Sequence, residues 1–221
     1  MISDLRIRLV LLYFLIVFFP DFIRGQDISF RSFLIEHGLP SYSVISITQD
    51  KKGFMWFGTS NGLSRYDGVR FKNYNSPKGN EQSISNKNIL SLCTDSKGVL
   101  WAGASNGLNK YNESLDRFET IRLNSKSNYF VYKIFEDRKG YLWIGSSIGL
   151  FYIFNGKPYV VPSLKNESVK AIYEDSKQSV WITHAYGWEF CIGVFGCPVI
   201  LMDSPRQSPA IVKGKGSIGF Q

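Results

Sequence analysis

Histidine is nearly missing from this chain. His37 and His184 are the only two, and they lie far apart in sequence. No H-E-x-x-H, G-x-S-x-G or P-loop pattern occurs, so metalloprotease, esterase-type and nucleotide-cradling chemistry are without support. Nor is there a kinase or receiver module, so the chain could not itself transfer a phosphoryl group. Cysteine is scarce too: Cys93, Cys191 and Cys197 make an odd count that builds no disulfide framework. Cys93 falls in a predicted strand and reads as buried and inert. Cys191 and Cys197 could pair, although nothing requires it, and C-x5-C without further ligands is a poor zinc site. Clustered charge is absent: the net +8 is scattered through loops in both signs. Lys51-Lys52 and Lys213/Lys215 are too sparse for a nucleic-acid footprint, so they read as solubility. Gly214–Gly219 spells G-x-G-x-x-G, yet the chain has no βαβ unit or distal acid to make it a dinucleotide site. No cofactor and no metal is expected. Helical periodicity is missing after residue 25.

What the chain has instead is internal repetition. GFMWFGTSNGLSRYDG (Gly53 to Gly68) returns as GVLWAGASNGLNKYNE (Gly98 to Glu113) and as GYLWIGSSIGLFYIFN (Gly140 to Asn155). A fourth copy starts near Asp175 and loses the pattern. Aligned on Trp56, Trp101, Trp143 and Trp181, the copies sit 45, 42 and 38 residues apart. Six residues before each Trp stands an aspartate (Asp50, Asp95, Asp137, Asp175), and six after it a glycine (Gly62, Gly107, Gly149, Gly187). Three before the first three stands another glycine (Gly53, Gly98, Gly140).

Each copy reads as four strands. In the first they are predicted at Val44–Gln49, Phe54–Thr59, Leu63–Tyr66 and Arg70–Tyr74, separated by Asp, Asn and Gly turns that supply positive φ. The second strand is apolar on both faces, Phe54 and Trp56 one way, Met55 and Phe57 the other. A sheet wetted on one side would alternate apolar and polar residues, so each small sheet is expected to lie between two others. A period in the forties, four strands and two buried faces predict an all-β fold: a partial β-propeller of four-stranded antiparallel blades, about three complete blades plus fragments. A tryptophan recurring at one strand position reads as blade packing, and its indole N–H needs a partner. The recurring aspartate reads as a turn-former, because a single active site would need it only once.

These copies resemble the two-component regulator propeller repeat, found in the sensor halves of hybrid two-component systems, notably of Bacteroides type. GFMWFGTSNGLSRYDG with VISITQD before it and VRFKNY after it is close to that blade pattern, as is SISNKNILSLCTDSKGVLWAGASNGLNKY. The similarity runs from about Ile28 to Thr183. It implies a non-catalytic, exported sensor that binds carbohydrate or other extracellular ligands and signals through a parent kinase. Expected partners are an oligosaccharide ligand and the remainder of the parent sensor or another propeller fragment. Which residues contact the ligand is not fixed by the sequence. Two other readings stay open: a fragment of a propeller enzyme acting on polysaccharide (a lyase or glycosidase), and a truncated product without activity.

Residues 1–25 read as a signal peptide. Arg6 and Arg8 precede the apolar stretch Leu9 to Phe19, whose eleven residues reach only about 16 Å as helix, short of a membrane span. Cleavage is expected before Gln26 or Asp27, giving a periplasmic mature chain with no membrane span. Phe30–Leu34 resembles the outer strand of a blade, by comparison with Arg70–Tyr74 and Arg117–Ile121. The loop Asn75–Asn88 reads as a surface connection. Asn112-Glu-Ser and Asn166-Glu-Ser match the glycosylation sequon, which a bacterial origin would make irrelevant. Residues 26–183 form the expected propeller region and 184–221 a divergent tail. A truncation or change of reading frame near codon 184 would account for that tail.

Overall fold

The computed structural model describes residues 6, 8–10, 13, 29–75, 83–124, 128–184, 189–192 and 200–201. The chain divides into two units, Met1–Phe33 and Leu34–Gln221. In the first, the described positions 6, 8–10 and 13 are helical; the rest of the expected signal peptide lies outside the described residues. No helix among the described residues is long and apolar enough to cross a membrane. Residues 29–34 form no strand, and Phe30 is exposed. The outer strand expected over Phe30–Leu34 is therefore corrected: among the described residues no third strand offers it a ladder.

The second unit opens with a single 3-10 turn, Ile35–His37, whose His37 Nδ1 accepts the Leu34 N–H at 2.9 Å. Four antiparallel meanders follow in chain order. The first sheet is β1 (Val44–Gln49), β2 (Met55–Thr59), β3 (Gly62–Tyr66) and β4 (Phe71–Tyr74). The second is β5 (Ile89–Thr94), β6 (Leu100–Ala104), β7 (Gly107–Asn112) and β8 (Arg117–Ile121). The third is β9 (Val131–Glu136), β10 (Leu142–Ser146), β11 (Gly149–Phe154) and β12 (Lys157–Val160). The fourth is β13 (Val169–Glu174), β14 (Val180–His184), β15 (Glu189–Ile192) and the two-residue β16 (Ile200–Leu201). Each first strand carries a register shift near its start, at Val44/Ser46, Ile89/Ser91, Val131/Lys133 and Val169/Ala171.

The turn between first and second strands is fixed by the D-x-x-G sequence. Gly53, Gly98 and Gly140 take φ of 87°, 86° and 82°, a left-handed conformation that glycine adopts without a Cβ penalty. Gln178 stands at that place in the fourth copy with φ 65°, at a cost of about 1–2 kcal/mol.

The sheets stack through their tryptophan faces. Trp56, Leu63 and Tyr74 of the first sheet form one apolar cluster with Ile89, Leu92, Leu100 and Phe118 of the second. Trp101 and Leu108 pack likewise on Val131, Ile134 and Ile144. Trp143 and Leu150 pack on Val169, Ile172 and Ile182. The inner strands β1, β5, β9 and β13 run side by side.

Glycine of the W-x-G triplet makes this stacking close. A Cβ added at Gly58, Gly103 or Gly145 would stand 2.7, 2.6 or 2.9 Å from Ile89 Cγ2, Val131 Cγ1 or Val169 Cγ1 of the following sheet. Polar rungs run between the inner strands. Ser46 Oγ accepts the Leu92 N–H at 2.9 Å, and Ser91 Oγ accepts the Ile134 N–H at 3.0 Å. Further out, Glu136 accepts the Ser96 N–H and hydroxyl, and Glu174 accepts the Arg138 N–H.

Residues 184–221 are expected to be a divergent tail, yet Glu189–Ile192 pairs with β14, and Ile200–Leu201 pairs with β15. A ladder needs only backbone donors and acceptors beside an unpaired strand, so sequence unlike the repeat can still complete a sheet.

Candidate functional site

The recurring carboxylate and the recurring indole are partners in every copy. Asp50 Oδ2 accepts the Trp56 Nε1–H at 2.7 Å, while its Oδ1 accepts the N–H of Lys52 at 2.9 Å and of Phe54 at 3.0 Å. The same indole bond is 2.9 Å at Asp95–Trp101, 2.8 Å at Asp137–Trp143 and 2.9 Å at Asp175–Trp181. Bonds from the Trp181 indole and the Ser179 amide hold the Asp175 carboxyl below its ordinary range. Three N–H donors per carboxylate leave these aspartates committed to the scaffold. They tie the turn to the strand that follows it.

Chemistry not absorbed by the scaffold gathers between the first and second sheets. A cleft of about 540 Å³ lies where the β1–β2 turn faces β7 and the β7–β8 turn. Lys51, Lys52, Lys97 and Lys110 line it, with Asn112, Glu113 and Glu119. Lys52 pairs with Glu113, and Lys51 donates to the Ser96 carbonyl. Lys110 Nζ lies 5.8 Å from the centre of the Trp101 ring, a cation–π contact. Asn112 donates to Glu119 Oε1 at 2.8 Å. Ammonium groups, an amide and two carboxylates on an open cleft can bind hydroxyls and acidic groups of a polar ligand.

Tyr111 joins this cleft to a clamp between the same two sheets. Asp116 Oδ1 accepts the hydroxyls of Tyr111 at 2.5 Å and Tyr74 at 2.6 Å, and its Oδ2 pairs with Lys72. Arg65 donates to the Tyr111 hydroxyl at 3.2 Å and lies over the Phe54 and Trp56 rings. Burial favours the neutral form of Asp116, but the Lys72, Tyr111 and Tyr74 donors outweigh it and hold the carboxyl at about 2. Burial and the bond to Asp116 push the Tyr74 hydroxyl well above its ordinary range, so it remains a donor.

The folded value of Asp116 lies below its ordinary 3.8. Stability from the clamp is therefore complete above the unfolded value and is lost as pH falls toward 2. The expected result is an Asp116→Asn chain with a lower urea midpoint than the native chain at pH 5, the gap narrowing steadily toward pH 2. Asparagine tolerates the φ of 47° at this position, so the comparison reads charge rather than backbone strain. A gap that does not change with pH would contradict the assignment.

Several residues singled out in the sequence lie elsewhere. Cys93 is in β5, half-buried rather than buried, and desolvation pushes its thiol up to about 11. His184 and Cys191 fall in β14 and β15, their side chains outside the described residues. Cys197, Lys213, Lys215 and Gly214–Gly219 are outside as well, as are residues 76–82 of the Asn75–Asn88 loop. Lys51 and Lys52, read as solubility, line the cleft instead. Sequence reasoning passed over Lys97, Lys110 and Asp116. A signal existed for the first: Lys52, Lys97, Lys139 and Lys177 all stand two residues after the recurring aspartate. No group of three or more His, Cys, Asp or Glu able to hold a metal occurs among the described residues.

The family model described as "Two component regulator propeller" matches residues 38–61, 83–106 and 125–147. Each matched segment runs through the first two strands of a sheet and ends in the turn that follows. A curated relative, Histidine kinase P4 of Formosa agariphila, is 42% identical over 62 residues, which are 28% of this chain and 4% of that protein. Among solved structures, the extracellular domain of a hybrid two component system from B. thetaiotaomicron aligns with TM-score 0.64 and 22% identity. That alignment covers 86% of this chain and 25% of that chain. Virginiamycin B lyase from Staphylococcus aureus aligns with TM-score 0.53 and 19% identity, over 74% of this chain and 56% of that one. At these identities the two structures share the fold and nothing finer. The chain spans a small fraction of the kinase and about a quarter of the extracellular domain.

Proposed function

We propose that this chain, which is built of two-component regulator propeller repeats, is a non-catalytic, ligand-binding sensor segment of a two-component signalling system. It acts outside the cytoplasm, exported by its N-terminal segment. The matched repeats support the signalling context, and the similarities to a histidine kinase and to an extracellular two-component domain point the same way. The ligand is a carbohydrate-derived molecule, and the kinase output belongs to the remainder of a parent protein.

One observation carries the choice of site. The recurring aspartates are all committed to their indoles, whereas the lysine-lined cleft between the first two sheets presents polar groups to solvent. A ligand held there would meet Lys97 and Lys110 together. Hydrogen bonds to charged donors contribute about 1.5–3 kcal/mol each.

Isothermal titration of the chain against a panel of neutral and acidic oligosaccharides tests this. Replacing Lys97 and Lys110 with alanine together is expected to weaken binding of the best ligand by about tenfold or more. Unchanged affinity would move the site away from this cleft. Cleavage of any oligosaccharide in the panel, abolished by a single carboxylate substitution, would replace the sensor reading with the lyase or glycosidase reading.

A further inference from the structure

The first and last sheets present unlike faces to a prospective neighbour. Ile89, Val131 and Val169 begin the inner strands of the second, third and fourth sheets, and each is 0% exposed against the W-x-G glycine of the sheet before it. Val44 holds the matching place in the first sheet and is 37% exposed; Ile47, matching Leu92, Ile134 and Ile172, is 55% exposed. Met55 and Phe57 extend the same apolar face. The first sheet thus has the surface that three other sheets in the chain bury against a tryptophan face.

The fourth sheet carries the complementary tryptophan without the complementary glycine. Trp181 is 36% exposed, while Trp56, Trp101 and Trp143 are buried by the sheets that follow them. Thr183 pairs with Ala171 as Gly58 pairs with Ser46, Gly103 with Ser91 and Gly145 with Lys133. At those three glycines even a bare Cβ would press within 3 Å of the next sheet's first valine or isoleucine. A threonine there holds the next sheet off.

We propose that the Val44–Ile47 face of the first sheet docks a four-stranded sheet of this same repeat whose second strand reads W-x-G, and that Thr183 bars the chain's own fourth sheet from that role in a second copy. The occupant is defined by the interface already made three times within the chain: a buried indole beside a glycine that admits Val44. Copies of this chain do not join head to tail, because their remaining tryptophan face lacks that glycine. The chain is receptive at one end and stopped at the other. This rests on the repeat assignment and adds the partner's chemistry to it.

Sedimentation equilibrium of the full chain tests the proposal. Thr183→Gly is expected to raise the weight-average mass at least about twofold over the native chain, and adding Val44→Lys is expected to return it to the native value. Thr183→Ala should sediment like the native chain, since a Cβ alone suffices to block. Val44→Lys in the native background should change nothing, and this arm stays decisive if Thr183→Gly fails to fold. Overturning results are a folded Thr183→Gly chain with native mass, or a native mass that drops with Val44→Lys. Neither touches the sensor reading, which stands on oligosaccharide titration.

Discussion

Trp56→Ala is expected to lower the stability of the chain by about 3–5 kcal/mol, read as the urea midpoint at constant slope. The indole is fully buried between the first two sheets and touches Tyr74, Tyr111 and Phe118, with ring centres 5.4, 5.0 and 6.2 Å away. It also closes the Asp50 turn through Nε1. Alanine removes the rings that fill the interface and strips Asp50 of a donor. Trp56→Phe separates the two effects: it keeps most of the packing and should cost about 1–3 kcal/mol, the range for a polar partner lost at a buried site. Trp181 is the internal control, with the same motif on an open face. Trp181→Ala should cost measurably less than Trp56→Ala, because Trp181 is 36% exposed and loses less buried area. Equal losses at Trp56 and Trp181 would mean that the sheets do not stack as described.

Gly103→Ala is expected to be nearly as damaging, from the addition of a single carbon. The new Cβ would stand 2.6 Å from Val131 Cγ1 and 2.9 Å from the Val131 carbonyl oxygen. The carbonyl belongs to backbone, so the neighbour cannot yield by rotating a side chain. Overpacking of this kind costs about 1–3 kcal/mol or more, and here it falls on the interface between the second and third sheets. Gly140→Ala provides the contrast. A Cβ there meets nothing within 4 Å, and only the φ of 82° resists it, at about 1–2 kcal/mol. Val131→Ala in the Gly103→Ala background should recover part of the loss by vacating the contested space. No recovery would place the damage at the Val131 carbonyl, which alanine leaves in place, or in β6 itself.

Much of the first sheet is legible in the sequence because its turns are written locally. Val44–Gln49 is predicted and found; the second and third strands begin one residue from their expected starts, at Met55 and Gly62, and the fourth at Phe71 rather than Arg70. Each boundary except the start at Val44 has Asp, Asn or Gly within four residues of it. The contacts that bind sheet to sheet are written across some 40 residues and leave no local mark. Ser46 reaching the Leu92 amide, or Glu136 reaching Ser96, emerges only once two copies lie side by side. The D-x-x-G aspartate and the tryptophan were separately legible as turn-former and packing residue. Their direct bond follows from hairpin geometry that brings residues six apart together.

The candidate cleft was less legible for a related reason. Lys97 follows Asp95 and Lys110 lies opposite Trp101, so both belong to the repeat, and what makes them lining residues is the turn of the preceding sheet. Asp116 stands in the β7–β8 turn with no counterpart in the other copies, and its importance comes from two tyrosines 42 and 5 residues away. The fourth sheet shows the opposite limit. Its last two strands have no repeat signature because backbone pairing selects for extended chain, not for particular side chains.

The central claim is that successive copies form equivalent sheets stacked through their tryptophan faces, and a crystal structure of the chain tests it most directly. The account predicts Trp56, Trp101 and Trp143 at matching positions in three successive four-stranded sheets, each indole bonded to the aspartate six residues before it. Those tryptophans in unlike surroundings, or inner strands of neighbouring copies that do not lie side by side, would contradict it.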